Sequence, residues 1–373
     1  MSFSSKKSSL ILILDVQSSV VRGSLCMLTR NARPHVIYSQ ETPIEYKQER
    51  GAAHLVQRTI RAIDQTVQHA LRSIQGKKID TVHYVLSSPW ILSQAKTIAV
   101  EFKKETKATR EHIIDIVTKQ RDEFITEKQS GFEIIEEKVF SVRLDGVHTD
   151  DWHNKKAHTV DVSLAISVSG IETIRQLREV CAHAVPGERV QFHSALLLQH
   201  IAVQHIIPQY KNYTLIHAHG ELTDIIRVKE GVCSFFASYP YGTQTILRSI
   251  SSTKKIPQQS AESNLALYGQ GSLDASHARK IYEAIQNEQH VWSAELIKIL
   301  QTSSAQQDPN EHILLSAHAY EAFFIRALAS IPQYGKVQRL ELDDVRPAVT
   351  FEASVRTSRM TGLYTLAIHS INQ

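Results

Sequence analysis

The sequence predicts an α/β protein, and three observations carry that prediction. Short, nearly continuous apolar runs, such as residues 10–14 and 312–315, read as buried strands. Stretches with a helical apolar period lie between them, residues 54–74 being the plainest. Twice, at 10–28 and at 213–228, a strand enters a short polar turn and returns as a second strand.

At 373 residues the chain has room for two or more domains, and its 42% apolar and 21% charged content is that of an ordinary globular protein. Cys26, Cys181 and Cys233 are far apart and form no CxxC pair, so neither a disulfide framework nor a zinc knuckle is indicated, and a reducing cytoplasm is expected. A net charge of +4 is a weak field over this length, without blocks of like charge, and nucleic acid is not an expected partner. Lys6-Lys7 before an apolar run imitates the start of a signal peptide. The run stops at Asp15 after five residues, too short for an export signal, and no stretch reaches transmembrane length.

Taken in order, strand 10–14 leads through Asp15-Val16-Gln17-Ser18-Ser19 into a second strand ending at Leu28. In 54–74, Leu55, Val56, Ile60, Ile63, Val67, Ala70, Leu71 and Ile74 fall on one helical face, closed by Gly76. Residues 80–86 read as a strand stopped by Ser87-Ser88-Pro89-Trp90. From 91 to about 185 the order is β-α-β-β-α: strand 93–102, helix 109–128, strand 132–144, a polar loop at 150–156, strand 157–167 and helix 170–184. A helix within 186–208 precedes strand 213–217, the turn His217-Ala218-His219-Gly220-Glu221, strand 223–228, the tight turn Lys229-Glu230-Gly231, and strand 232–239 ending at Pro240. A glycine turn at Gly242 opens a helix, and a second helix covers 261–269. A polar loop at 301–311 precedes strand 312–315 and a helix to Ala329, and the last segment, 338–373, is expected to end in a strand at 364–369.

Four of these stretches resemble the nucleotide motifs of actin-like ATPases. Residues 217–224 lie on Asp-x-Gly-Gly-x-x-Thr-Asp, with Gly220, Thr223 and Asp224 matching. Residues from Asp15 lie on Asp-Ile-Gly-Ser-Ser-x-x-Lys, with Asp15, Ser18 and Ser19 in place. Residues 240–242 look like Pro-x-Gly-Gly, keeping Gly242, and 261–269 resemble Ala-Glu-x-x-Lys-x-x-Tyr-Gly, keeping Glu262, Tyr268 and Gly269. The 91–185 order resembles the inserted subdomain that sets the cell-division protein FtsA and the pilus-assembly protein PilM apart from actin.

The resemblance implies an actin-like (ribonuclease H-like) two-lobed α/β fold with an FtsA/PilM-type insertion. Its expected parts are 1–90, the first lobe; 91–185, the insertion; 186–210, a return to the first lobe with a connecting helix; and 211–373, the second lobe. It implies a nucleotide site made of Asp15, Ser18, Ser19, Gly220, Thr223, Asp224, Gly242 and Glu262, with ATP and Mg²⁺ as the cofactors and no catalytic or metal-ligating side chain assigned. This sequence departs from the motifs at Gln17, His217, His219 and Leu265, and Ala317-His318-Ala319 stands where the family has three adenosine glycines. A degenerate site is therefore expected, with an active ATPase using Asp15 and Asp224 for Mg²⁺ as the alternative. His217, His219 and His318 would face one cleft as a metal or anion site, or as polar filling of an emptied pocket. The expected acid for sugar-kinase chemistry is missing, since His217 holds its position.

The partners implied are cell-division or pilus-assembly proteins held through 91–185, with self-assembly into protofilaments. No terminal amphipathic helix is read in 338–373, so membrane contact would come through a partner. An α/β binding protein with two coincidental hairpins is the reading outside the superfamily.

Overall fold

The computed structural model describes residues 8–44, 51–74, 76–128, 131–149, 151–185, 187–272, 275–302, 311–317, 319–331, 337–355 and 358–373. Lys6-Lys7, most of the 301–311 loop and His318 fall outside the described residues.

The chain opens with three antiparallel strands, β1 (Ser8–Val16), β2 (Val20–Thr29) and β3 (His35–Pro43). Helix α1 (Gly51–Ser73) then crosses to β4 (Thr81–Leu86), which lies parallel to β1. β1 is apolar without alternation because it sits in mid-sheet with both faces covered. α1 covers one face with Leu55, Ile63, Val67 and Ala70.

Next, β5 (Leu92–Lys107), α2 (Arg110–Lys128), β6 (Phe132–Leu144), β7 (Val147–His148) and β8 (Lys156–Gly170) build a separate sheet in the order β5-β8-β6-β7. α2 closes its core with Ile113, Val117 and Phe124. Helix α3 (Ile171–Ala184) was expected to end this insertion, but it packs elsewhere. Ile174, Leu177 and Cys181 join the α1 core of the first lobe, and β9 (Arg189–Ser194) adds to β4. The apolar spacing of α3 marks a buried face but does not say which sheet it covers.

Helix α4 (Ala195–Ile206) leads to the second lobe: β10 (Tyr213–Ala218), β11 (Thr223–Lys229), β12 (Val232–Tyr239), α5 (Thr243–Lys254), α6 (Gln258–Gln270), α7 (Ala275–Gln301), β13 (His312–Ala317), α8 (Glu321–Ala329) and β14 (Val337–Arg339). The chain ends with α9 (Leu342–Val345), β15 (Thr350–Phe351) and α10 (Arg359–Ile371).

The second sheet, β12-β11-β10-β13-β14, repeats the plan of the first, β15-β3-β2-β1-β4-β9, apart from the added β15. Each has an antiparallel triplet followed by two parallel strands. Between the two sheets lie α4 and α10, in one core with Ile11, Ile13 and Cys26 of the first sheet and Leu215, Ile226 and Leu314 of the second. Ser194 caps α4, accepting from the Leu197 N–H at 3.4 Å. Being enclosed, α4 buries every residue from Ala195 to Val203, so its sequence has almost no polar face.

Enclosure also accounts for a misread element. The expected strand 364–369 is the middle of α10, whose residues from Met360 to His369 are all buried. A helix covered all round shows no 3.6-residue polar stripe, and its short β-rich run mimics a strand. The same segment corrects the expected limits of the second lobe, because β15 pairs with β3 and α10 rests on the first sheet as well.

Buried imidazoles tie this core to pH. The His200 Nδ1 bonds the Tyr213 hydroxyl at 2.6 Å, and burial, helped by the Lys138 charge, pushes its pKa down to about 3. His83 bonds His193 at 3.0 Å, and burial and that neighbour likewise push it down to about 3. Below the ordinary value of 6.5 the unfolded chain takes up protons that the folded chain refuses. Stability is therefore full above that value and lost as pH falls towards 3, by roughly 1.4 kcal/mol per pH unit for each imidazole. Urea unfolding between pH 7.5 and 5 is expected to show this slope, with His83→Gln removing about one share of it. A flat profile would contradict neutral burial.

Candidate functional site

The turns of the two hairpins, β1–β2 and β10–β11, meet between the lobes. Register places Asp15 opposite Arg22 on the first and His217 opposite Asp224 on the second, so each hairpin presents a paired set of polar groups. Arg22 Nη1 lies 2.6 Å from Asp15 Oδ2, with both side chains buried. The same guanidinium donates to Glu41 Oε1 at 2.9 and 2.6 Å, and Gln17 Nε2 donates to Asp15 Oδ2 at 3.1 Å. Burial opposes the Arg22 charge, but the Asp15 and Glu41 carboxylates more than restore it.

On the second hairpin, Asp224 accepts three hydrogen bonds. Oδ2 accepts from the Ser88 N–H at 3.1 Å and from His219 Nε2 at 3.1 Å, and Oδ1 accepts from the Ser238 hydroxyl at 2.6 Å. Burial alone would raise its pKa, but His219 and these bonds hold the carboxyl well below the usual carboxylate range. His219 Nδ1 lies 3.2 Å from Ser18 Oγ, which itself accepts from the Glu221 N–H at 2.8 Å. The contacts thus run in series from the Glu221 N–H through Ser18 Oγ and the His219 ring to Asp224. The His217 ring stacks on His219 at 5.2 Å, and its Nδ1 bonds the Ser316 carbonyl at 3.2 Å. Burial, followed by the His219 neighbour, pushes the His217 pKa down.

The glycines matched in the sequence are held by close backbone approach. A Cβ on Gly220 would stand 2.4 Å from Ser19 Cβ and Oγ, and one on Gly242 would stand 2.1 Å from the His219 carbonyl oxygen. The start of α5 is docked on the second turn, with Thr243 N–H on the His219 carbonyl at 3.0 Å and Gln244 N–H on the Gly220 carbonyl at 2.7 Å. Thr223 is tied into the second lobe, donating to the Tyr241 carbonyl at 2.8 Å and accepting from Trp292 Nε1 at 3.0 Å.

Glu262 stands apart from the turns, half-buried on α6 beside Tyr320, and Leu265 lies in the second lobe's core. So Asp15, Ser18, Ser19, Gly220, Asp224 and Gly242 gather at the turns, Thr223 braces them from behind, and Glu262 lies on another wall. Beyond the first turn is a cleft of about 660 Å³ lined by Arg22, Glu41, Tyr320, Glu321 and Arg359. Its second guanidinium is also committed, Arg359 bonding Glu321 at 2.8 Å and the Ala317 carbonyl at 2.9 Å.

Many polar groups of the two turns bond one another instead of standing open towards a magnesium-bound triphosphate. Such a ligand needs free backbone N–H groups at the turns and carboxylates with spare capacity towards the metal's waters. Here Ser18 takes the Glu221 N–H, carbonyls take the first donors of α5, Arg22 pairs with Asp15 Oδ2, and Asp224 accepts three hydrogen bonds. No group of three or more His, Cys, Asp or Glu placed to hold a metal occurs among the described residues.

Sequence reasoning missed Arg22, Glu41, Ser88 and Ser238. Arg22 was readable, because it falls on the terminal Lys of the first motif, where a cation is expected. Ser88 and Ser238 come from separate connections, and only the fold brings them to Asp224.

Breaking the buried Asp15–Arg22 pair from one side should be costly. Arg22→Met is expected to lose about 3–5 kcal/mol, with Asp15→Asn in the same chain recovering part of it. Additive losses in urea unfolding would show that the pair is not coupled.

No known family profile matches the sequence, and no curated protein matches it. Among solved structures, one of a PilM–PilN type IV pilus biogenesis complex is similar with a TM-score of 0.65 at 15% identity, over 96% of this chain and 96% of that one. The ethanolamine utilization protein EutJ from Carboxydothermus hydrogenoformans gives 0.48 at 10% identity, over 97% of this chain and 89% of its own. A Bacteroides thetaiotaomicron protein with an actin-like ATPase fold gives 0.41 at 9% identity, over 98% of each chain. The chain has the actin-like two-lobed α/β fold, in a form similar over nearly its whole length to PilM.

Proposed function

We propose that the protein is a cytoplasmic actin-fold scaffold of type IV pilus assembly that works without nucleotide and recruits its partner through the inserted sheet. The observation that carries the reading is the likeness to PilM along nearly the whole chain. That relative is seen in complex with PilN, and an equivalent partner is proposed here. No helix among the described residues is long and apolar enough to cross a membrane, and membrane contact is assigned to the partner. The filled hairpin junction supports the absence of nucleotide, because the donors and carboxylates that would hold one are spent on each other.

A groove suited to a short tail runs between β6 of the insertion and β9 with α3 of the first lobe. Its volume is about 530 Å³, and Ile134, Glu137, Lys138, Arg178, Phe192 and Ile371 line it. Arg178 is occupied by Glu133 at 2.6 Å, whereas Glu137 is exposed on β6. An exposed carboxylate above apolar residues suits a short tail that is apolar with one cation. The inserted unit is drawn as residues 92–170, since α3 belongs to the first core, and the proposed groove is the seam between that unit and the first lobe.

Two measurements test this. Titration with a fluorescent ATP analogue and Mg²⁺ is expected to show no saturable binding and no rise in melting temperature up to about millimolar ligand. Glu137→Lys is expected to weaken capture of the pilus partner's cytoplasmic segment about tenfold with the melting temperature unchanged. Micromolar nucleotide binding would return the site to an ATPase, and unchanged capture would move the partner off this groove.

A further inference from the structure

We propose that His219 is an interlobe clasp: its ring fills the slot between the hairpins as a ligand would, making the closed cleft the ground state of the free protein. This rests on the reading of a cleft without nucleotide and adds what closes it. Ser18 belongs to the first lobe, and His219 and Asp224 to the second. The imidazole carries a nitrogen at each end, and the slot offers the Ser18 hydroxyl at one end and the Asp224 carboxylate at the other. His219, Ser18 and Asp224 are 0, 0 and 2% exposed, so water cannot replace any of these bonds.

The backbone of the turn is itself held in place. Gly220 lies against Ser18 and Ser19, and the His219 and Gly220 carbonyls are held by the start of α5. The ring is thus aimed at Ser18 by its own turn. Asp224 carries the link onward, because the Oδ2 that accepts from His219 also accepts from the Ser88 N–H in the connection after β4. Ser88 Oγ meets Ser238 Oγ of β12 at 2.8 Å, giving the lobes a second contact beside the first. That connection runs through Trp90 into β5, and Arg143 of β6 pairs with Glu230 of the second lobe, so the insertion shares in the closure.

The test removes the ring and returns it as a free molecule. His219→Gly is expected to lower the melting temperature by about 3–6 °C. About 50 mM imidazole should restore at least half of that while leaving the wild type unmoved. Hydrogen exchange in the variant is expected to quicken at the Glu221 and Ser88 amides, which donate to Ser18 and Asp224. If His219→Gly does not yield folded protein, His219→Phe keeps the bulk without the bonds, and the same two amides report. An unchanged melting temperature, a loss that imidazole does not reverse, or unaltered exchange at both amides would overturn the clasp. Saturable ATP binding by the wild type would instead end the reading of a nucleotide-free cleft, whatever His219 does.

Discussion

The direct hydrogen bonding of one hairpin turn to the other is the contact on which the rest of this structure depends. Ser18 accepts the Glu221 N–H and faces His219, and Asp224 collects donors from both lobes. Each group is buried, so each unmade bond would leave a desolvated polar atom at a cost of about 1–3 kcal/mol. Two repeated sheets, each ending its central hairpin at the same level, bring the turns together, and the enclosed helices α4 and α10 hold the sheets at that spacing.

Charge follows the same logic. An acid at Asp15 and another at Asp224 in one buried cleft would be unstable without cations or donors. Arg22 answers the first and His219 with two serines answers the second. At Gln17, His217 and His219, where the sequence departs from the family motifs, the side chains turn towards the groups around them. Gln17 donates to Asp15, His217 stacks on His219, and His219 bridges the lobes.

Much of the fold was legible because its strands are buried and its motifs recur in a fixed order. The hairpins at 10–28 and 213–228 were marked by apolar runs broken by polar turns, and the insertion by its β-α-β-β-α order. What failed did so where burial erases pattern. α10, enclosed between two sheets, has no polar stripe, so Tyr364–His369 mimicked a strand. The return of β15 and α10 to the first sheet depends on contacts across more than 300 positions, such as Ser24 with Thr361, which no local period encodes. At the site, Asp15, Ser18 and Asp224 were picked out by type and spacing. Arg22, Ser88 and Ser238 were not, the last two because they reach Asp224 only through the fold.

Lobes closed by the chain's own side chains should not respond to nucleotide. The most direct test is the distance between spin labels at Gln65→Cys on α1 and Gln286→Cys on α7, both exposed positions; the native cysteines Cys26, Cys181 and Cys233 are all buried. One narrow distance distribution is expected, identical with and without ATP and Mg²⁺. A broad distribution in the free protein, or one that sharpens or shortens when nucleotide is added, would contradict it.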